Sequence, residues 1–261
     1  MSLFDLTGKT AIITGSSRGI GEAIAEHFAA HGANVVISSR NIADCQAVAD
    51  KINARSGDGN GDGGAGKAIA VAASISSKQA MEELVAATRA AFGSIDILVC
   101  NAASNPYYGP MAGITDEQLR KILDNNIVSN HWLVQLCAPD MIAKKDGAII
   151  IISSIGGLRG SPVLGAYCIS KAADVQLARN YAVEYGKHNV RVNCISPGLI
   201  KTEFARALWE NPETEKQYAS THPMRRMGES EDLAGAAVFL ASRAGAYVTG
   251  QNIVVDGGST I

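Results

Sequence analysis

The chain is 261 residues long, 47% hydrophobic, with 23 basic and 25 acidic residues and a net charge of −2. Such a length and apolar content bury a substantial core, and α/β chains of this size commonly form one domain, so a single domain over 1–261 is expected. The near-neutral balance removes the electrostatic basis for binding nucleic acid or an anionic membrane surface and leaves small-molecule chemistry.

No stretch approaches about 20 uninterrupted apolar residues, and Met1 to Leu6 shows no basic segment leading into an apolar one, so a cytoplasmic location is expected. The scattered Cys45, Cys100, Cys137, Cys168 and Cys194 form no C-x-x-C pair. They read as reduced, small hydrophobes, and no metal is expected.

In chain order, a first strand is predicted at 10–14, directly before Thr14-Gly15-Ser16-Ser17-Arg18-Gly19-Ile20-Gly21 and a helix-forming segment from Glu22 to Phe28. Glycines let the backbone turn tightly and approach a pyrophosphate, and the free N–H groups and positive end of a helix favour the anion. A glycine cluster alone can be only a tight turn; its place between strand and helix points to a phosphate cradle.

The second predicted strand, 33–38, runs into Ser39 and Arg40. NAD-binding folds commonly put an acidic residue here, against the adenosine ribose hydroxyls. A carboxylate would repel the extra phosphate of NADP, whereas Arg40 can hold it through charge-assisted hydrogen bonds, with Ser39 adding one and Arg18 a second positive charge. Either arginine can instead be a solvated surface side chain, but the expected cofactor is NADP(H). Next comes a glycine-rich stretch, Ser56 to Gly66, predicted to be a mobile surface loop. Its Asp58-x-Asn60-x-Asp62-Gly63 order imitates a calcium loop, but Ile69 stands where a bidentate Glu is needed.

Further strands are predicted at 68–73, 96–100, 148–152, 190–195 and 252–255. Runs such as Ala148-Ile149-Ile150-Ile151-Ile152 lack period-two alternation, as strands covered on both faces of a parallel sheet do. Alternation with helical segments gives an α/β, doubly wound Rossmann fold: a seven-stranded parallel sheet with helices on both faces and ligands beyond the strands' carboxyl ends.

Tyr167 and Lys171 are four apart in a helix-compatible segment, so their side chains share a face. A neighbouring ammonium favours phenolate and brings the phenol towards a useful acid–base range. Ser154 ends the 148–152 strand thirteen residues before Tyr167 and can reach the same mouth of the sheet; strand alternation sends Ser153 to the other face. A hydroxyl there would stabilise negative charge developing on a substrate oxygen.

The spacing Gly15-x-x-x-Gly19-x-Gly21 resembles that of the short-chain dehydrogenase/reductase family rather than the general dinucleotide fingerprint. The resemblance continues through Asn101-Ala102, Asn126, Ser154, Tyr167-x-x-x-Lys171, Pro197-Gly198 and Asp256-Gly257-Gly258. It implies hydride transfer between a nicotinamide and a carbonyl or alcohol, with Asn126, Ser154, Tyr167 and Lys171 as catalytic residues. Asn126 would hold, through its backbone, a water linking Lys171 to solvent, although by sequence alone Asn125 competes for this place. Cofactor contacts are implied for Gly15, Ser17, Arg18, Gly19, Ile20, Ser39, Arg40, Asn101, Ala102, Tyr167, Lys171, Pro197, Gly198, Ile200 and Thr202, the last two meeting the carboxamide. The 199–227 region resembles the substrate lid, its apolar lining drawn from Phe204, Leu208, Trp209, Tyr218, Pro223 and Met224. Two positions depart from the family pattern: Cys100-Asn101-Ala102-Ala103 replaces Asn-Asn-Ala-Gly, and Ser74 stands where an Asp commonly meets the adenine.

Asn101 to Gly109, Pro197-Gly198-Leu199-Ile200-Lys201-Thr202, Leu208-Trp209 and Arg225-Arg226-Met227-Gly228-Glu229 resemble more narrowly the animal peroxisomal NADPH-dependent retinal and carbonyl reductase branch. That likeness implies ketone, diketone or aldehyde reduction and a homotetramer, or a homodimer. The chain ends Gly257-Gly258-Ser259-Thr260-Ile261 without a Ser-Lys-Leu-type address, so a cytosolic, bacterial relative is expected. A 3-oxoacyl-thioester reductase would share every catalytic residue, with Lys201, Arg206, Arg225 and Arg226 offering a basic dock for a carrier protein; a steroid or sugar alcohol dehydrogenase stands third. From another class, a non-catalytic dinucleotide-binding regulator would have no chemical need for the four catalytic residues together.

Overall fold

The computed structural model describes residues 2–56 and 66–261; the glycine-rich stretch read as a surface loop lies, for 57–65, outside the described residues. Strands and helices alternate as β1 (Thr10–Thr14), α1 (Gly19–Ala30), β2 (Asn34–Ser39), α2 (Ile42–Ser56), β3 (Ala68–Ala72), α3 (Lys78–Phe92), β4 (Ile97–Cys100), α4 (Asp116–Leu123), α5 (Ser129–Lys144), β5 (Gly147–Ile152), α6 (Gly165–Tyr185), β6 (Val190–Pro197), α7 (Arg206–Trp209), α8 (Pro212–Thr221), α9 (Glu231–Ala241) and β7 (Asn252–Val255). The strands form one parallel sheet of seven, ordered β3-β2-β1-β4-β5-β6-β7. From β1 the chain winds outward through β2 to β3, then returns to place β4 on the other side of β1. The loops after β1 and β4 therefore diverge and open a crevice at the carboxyl edge, where doubly wound sheets bind ligands.

The unbroken apolar runs are explained by their two destinations. Ile13, Val35, Ile37, Val99, Ile150 and Ile152 face a core closed by Ile24 and Phe28 of α1, Val48 of α2, and Leu233 and Val238 of α9. Their neighbours Ile12, Val36, Leu98, Ile149 and Ile151 face the opposite core, closed by Leu84 of α3, Leu133 of α5 and Val175 of α6. Successive strand residues point to opposite faces, so a sheet buried on both sides needs apolar side chains at every step. Among the described residues no helix is long and apolar enough to cross a membrane.

Candidate active site

β1 delivers the chain into the glycine turn. Gly15 has φ +65°, and a Cβ there would lie 3.0 Å from both Ala102 Cα and Asn101 Nδ2. A Cβ on Gly21 would come within 2.5 Å of the Gly15 carbonyl oxygen, so only glycine lets the first turn of α1 pack on the loop. Asn101 Nδ2 donates to the carbonyls of Thr14 (2.9 Å) and Gly15 (3.0 Å), while Thr14 Oγ1 accepts from the backbone N–H groups of Asn101 and Ala102. From the other side, the buried Ser16 hydroxyl donates to the Ile13 carbonyl (2.6 Å) and accepts from Ser38 N–H (2.9 Å). The turn is thus fixed by β4 and β2 before any ligand arrives.

Arg18 is the N-cap of α1 and its side chain makes no capping hydrogen bond. With Ser17 it borders an open cavity of about 420 Å³ that also meets Glu22, Asp44, Val48 and Lys51. Arg18 and Arg40 are both exposed. Among the described residues neither has a hydrogen-bonding or ion-pair partner, although Arg55, Arg89, Arg206 and Arg226 all pair with carboxylates. Ser39 Oγ donates to the Asn41 carbonyl at 3.4 Å and lies 3.1 Å from Cys45 Sγ. A turn that excludes side chains, a helix start without a cap and two unpaired guanidiniums fit the phosphates of a nicotinamide dinucleotide. A Cβ on Gly19, whose φ is +62°, would lie 3.2 Å from Thr202 Cγ2, so the segment after β6 closes over this turn. In that segment Ile200 is buried in the core and pairs as an isolated bridge with Gly228.

At the other end of the crevice, β5 stops at two serines that part company. Ser153 is buried and its hydroxyl donates to the Lys171 carbonyl at 2.7 Å. Ser154 is half-buried and its Oγ accepts from Gly156 N–H at 3.0 Å. It also lies close enough to the Tyr167 phenol to draw its pKa down. A Cβ on Gly157 would lie 2.7 Å from the Lys171 carbonyl carbon, so the turn after Ser154 packs directly on the backbone of α6.

Tyr167 and Lys171 project from the first turns of α6, with Lys171 Nζ 5.7 Å from the centroid of the Tyr167 ring. Lys171 is 2% exposed and donates to the Ile152 carbonyl and to Asp174 Oδ2, each at 2.9 Å. Burial raises the Tyr167 phenol above its ordinary value, while the Lys171 charge and the Ser154 hydrogen bond draw it back. Burial works against the Lys171 charge, but Asp174 and Tyr167 outweigh it and the ammonium is held more tightly than usual.

Between α4 and α5 the helix widens into a π turn, Asp124–Val128. Such a turn frees carbonyls from the regular ladder, and here side chains take them: Ser129 Oγ donates to the Asn125 carbonyl and Asn130 Nδ2 to that of Asn126, both at 2.6 Å. Asn126 Nδ2 donates to the Ser104 carbonyl and to Ser170 Oγ on α6, and its Oδ1 accepts from Ser104 N–H. Asn125 turns instead to Ser76 and the Ser104 hydroxyl. Asn126 is therefore the one joined to α6. Asp174 and Asn130, absent from the sequence reading, complete the buried cluster around Lys171.

Of the apolar side chains assigned to the lid, Phe204 stands over the site, its ring 6.1 Å from that of Tyr167 and 62% exposed. Trp209 and Tyr218 serve packing: Trp209 Nε1 donates to the Thr202 carbonyl, and Tyr218 stacks on His222 with its hydroxyl 2.8 Å from Ser259 Oγ. A second cavity, about 150 Å³, lies beside Gly198, Ile200, Met224 and Asp256.

This arrangement of sheet, glycine turn and Tyr–Lys helix is that of a nicotinamide-dependent oxidoreductase, and a family model described as Enoyl-(Acyl carrier protein) reductase matches residues 15–260. The chain belongs to the short-chain dehydrogenase/reductase family. It is 39% identical over 254 residues to the human Dehydrogenase/reductase SDR family member 4, covering 97% of this chain and 88% of that protein. Among solved structures, it is similar to a 7α-hydroxysteroid dehydrogenase complexed with NADH and 7-oxo glycochenodeoxycholic acid (36% identity, TM-score 0.90, covering 98% of this chain and 95% of that one). It is likewise similar to a 3-oxoacyl (acyl-carrier-protein) reductase from Agrobacterium tumefaciens with NADP bound (35% identity, TM-score 0.89, covering 98% and 96%).

Proposed function

We propose that the chain is an NADP(H)-dependent carbonyl reductase acting on a ketone, diketone or aldehyde, and on the corresponding alcohol in reverse. The observation that carries this reading is the meeting of the Tyr167 phenol, the Ser154 hydroxyl and the Lys171 ammonium at the crevice that begins with the glycine turn. When bound, the nicotinamide supplies or receives the hydride. The protein's part is to hold the substrate oxygen between Ser154 and Tyr167, so that charge developing there meets a hydroxyl donor and a proton. Lys171 keeps a positive charge beneath the phenol, which favours release of that proton as the oxygen becomes basic.

The two similar solved structures carry different cofactors, so NADP over NAD rests on this chain's own residues. Its support is that Arg18 and Arg40 have no side-chain partner among the described residues, together with the absence of a carboxylate at Ser38-Ser39-Arg40. A carrier-protein thioester as substrate is disfavoured by the fate of the cations that would dock it. Lys201 pairs with Glu215, Arg206 with Glu203 and Glu210, and Arg226 with Asp232, while Arg225 bonds the Ser220 carbonyl. The exposed Phe204 ring beside Tyr167 favours an apolar or aromatic carbonyl. Exposed Ile169 and Val183 on α6 and Tyr247 before β7 support a homo-oligomer, dimer or tetramer.

The test is a screen of initial rates across diketones, aromatic ketones, retinal, ketosteroids and acetoacetyl thioesters, each with NADPH and with NADH. Faster turnover with NADPH on a free carbonyl is expected, and Arg40→Asp should lower kcat/KM for NADPH by roughly ten- to a hundredfold by removing charge-assisted bonds. Equal or faster rates with low NADH would refute the cofactor assignment.

A further inference from the structure

One turn beyond Lys171 on α6, Asp174 is fully buried, with 0% of its surface exposed. Its Oδ2 accepts from Lys171 Nζ at 2.9 Å and its Oδ1 from Asn130 Nδ2 at 3.0 Å. The same Asn130 amide donates to the Asn126 carbonyl at 2.6 Å, and Asn130 is itself 3% exposed. Protein groups thus run unbroken from the ammonium to the π turn. Two of the three Lys171 N–H donors are held by the chain, by Asp174 and the Ile152 carbonyl.

Removing a carboxylate from water is costly unless it is paired and its remaining lone pairs are bonded, and here both conditions are met. Nothing about folding an α/β sheet requires this pair: a buried ion pair is poor evidence of stability gained, since apolar side chains of similar volume commonly do as well. Its position beneath the reacting phenol gives it another use. An isolated ammonium in so dry a pocket would pull strongly on the Tyr167 proton, and a carboxylate on its far side opposes that pull.

We propose that Asp174, braced by Asn130, is a positioning residue for Lys171 that anchors its ammonium under Tyr167 and cancels part of its charge there. The inference rests on reading Tyr167 and Lys171 as the proton-handling pair of the reductase. Tyr167 then keeps its proton through neutral pH and is ready to give it to a carbonyl oxygen. The titratable groups facing this cluster are Tyr167, Cys168, Lys171 and Asp174 from α6, Cys194 from β6 and Cys100 from β4; α5 and the π turn contribute the uncharged Asn130 and Asn126. Burial pushes the Cys100, Cys168 and Cys194 thiols up, towards their neutral form. Lys171 and Asp174 remain as the charges that set the Tyr167 phenol, and Asp174 adds to its rise.

The deciding measurement is phenolate absorbance against pH in the cofactor-free full chain. Asp174→Asn and Asn130→Ala are each compared with the same protein also carrying Tyr167→Phe, so that Tyr167 alone is counted. Asp174→Asn should move the transition to lower pH by about one unit or more, and the charge-preserving Asn130→Ala by less than about half of that. In Asp174→Asn the ammonium loses its anchor beneath the phenol, and kcat for carbonyl reduction at neutral pH should fall severalfold with the substrate KM retained. An unchanged or upward transition in Asp174→Asn, or equal shifts in the two variants, overturns the proposal. If Asp174→Asn does not fold, Asp174→Glu, which keeps the charge but lengthens the side chain, decides: kcat lowered with the phenolate transition moved by less than about half a unit upholds the anchoring, and both unchanged overturn it. A downward shift without turnover of any carbonyl would defeat the enzymatic reading and leave the positioning role standing.

Discussion

In the proposed reaction, whether Tyr167 holds its proton decides which direction of chemistry is favoured at a given pH. Its phenol is raised by burial and only partly drawn back by Lys171 and Ser154. Below that raised value it is a proton donor, so carbonyl reduction should hold through neutral pH and fall as the phenol ionises in the alkaline range. Alcohol oxidation needs the phenolate and should climb over the same interval. Initial rates in both directions against pH test this; oxidation that peaks at mildly acidic pH would contradict it. Tyr167→Phe should lower kcat by about 10²- to 10⁴-fold with an unchanged circular dichroism spectrum. Tyr167, Lys171 and Ser154 were legible because helical and strand spacing decide which side chains share a face, and Ser153 does turn away as alternation requires. Asn125 and Asn126 were inseparable in the sequence because the π turn alters the angular step that such reasoning assumes. Asp174 escaped notice because Lys-x-x-Asp on a helix ordinarily reads as a solvated pair, and only tertiary burial makes it otherwise.

Among the elements, strands were the easier to read. Those at 10–14 and 252–255 coincide with β1 and β7, and the others agree within two residues at each end. β6 continues to Pro197, past the predicted 195; at a strand's end the missing N–H costs no ladder bond, and Gly198 N–H resumes pairing with the Val255 carbonyl. The 199–227 segment, read as a lid, was less legible. Its helices form, but only contacts across the fold could reveal that Trp209 and Tyr218 hold the segment together while Phe204 faces Tyr167. Arg191 on β6 is another such case: 9% exposed, it donates to the carbonyls of Leu240, Ala241, Ser242 and Gly245 and so caps the end of α9. Burial lowers its pKa and the Asp146 charge works the other way, while the hydrogen bonds themselves go to the oxygens of a helix terminus. Arg191→Met should cost about 3 kcal/mol in urea unfolding, because several buried carbonyls lose a charged donor. A loss near zero would mean that α9 ends unaided.

For the molecule as a whole, the alternation of apolar strands with helices pointed to a doubly wound parallel sheet, and the structure supplies its strand order. The alternation could not say which helices close each face, or that the five cysteines divide between the two cores and their margins. All five are free and buried. Cys45 lies in the core beside α1 and α2, and Cys100, Cys137 and Cys194 lie in the other. A thiol-reactive dye consequently cannot reach Cys45, Cys100, Cys137 or Cys194, each at most 1% exposed, until the native architecture opens, which makes the labelling rate of those four a clock for that event. Any molecule that binds only the closed form slows the clock in proportion to its affinity. NADPH should therefore delay modification more than NADH at equal concentration, reporting cofactor preference with no substrate in the cuvette.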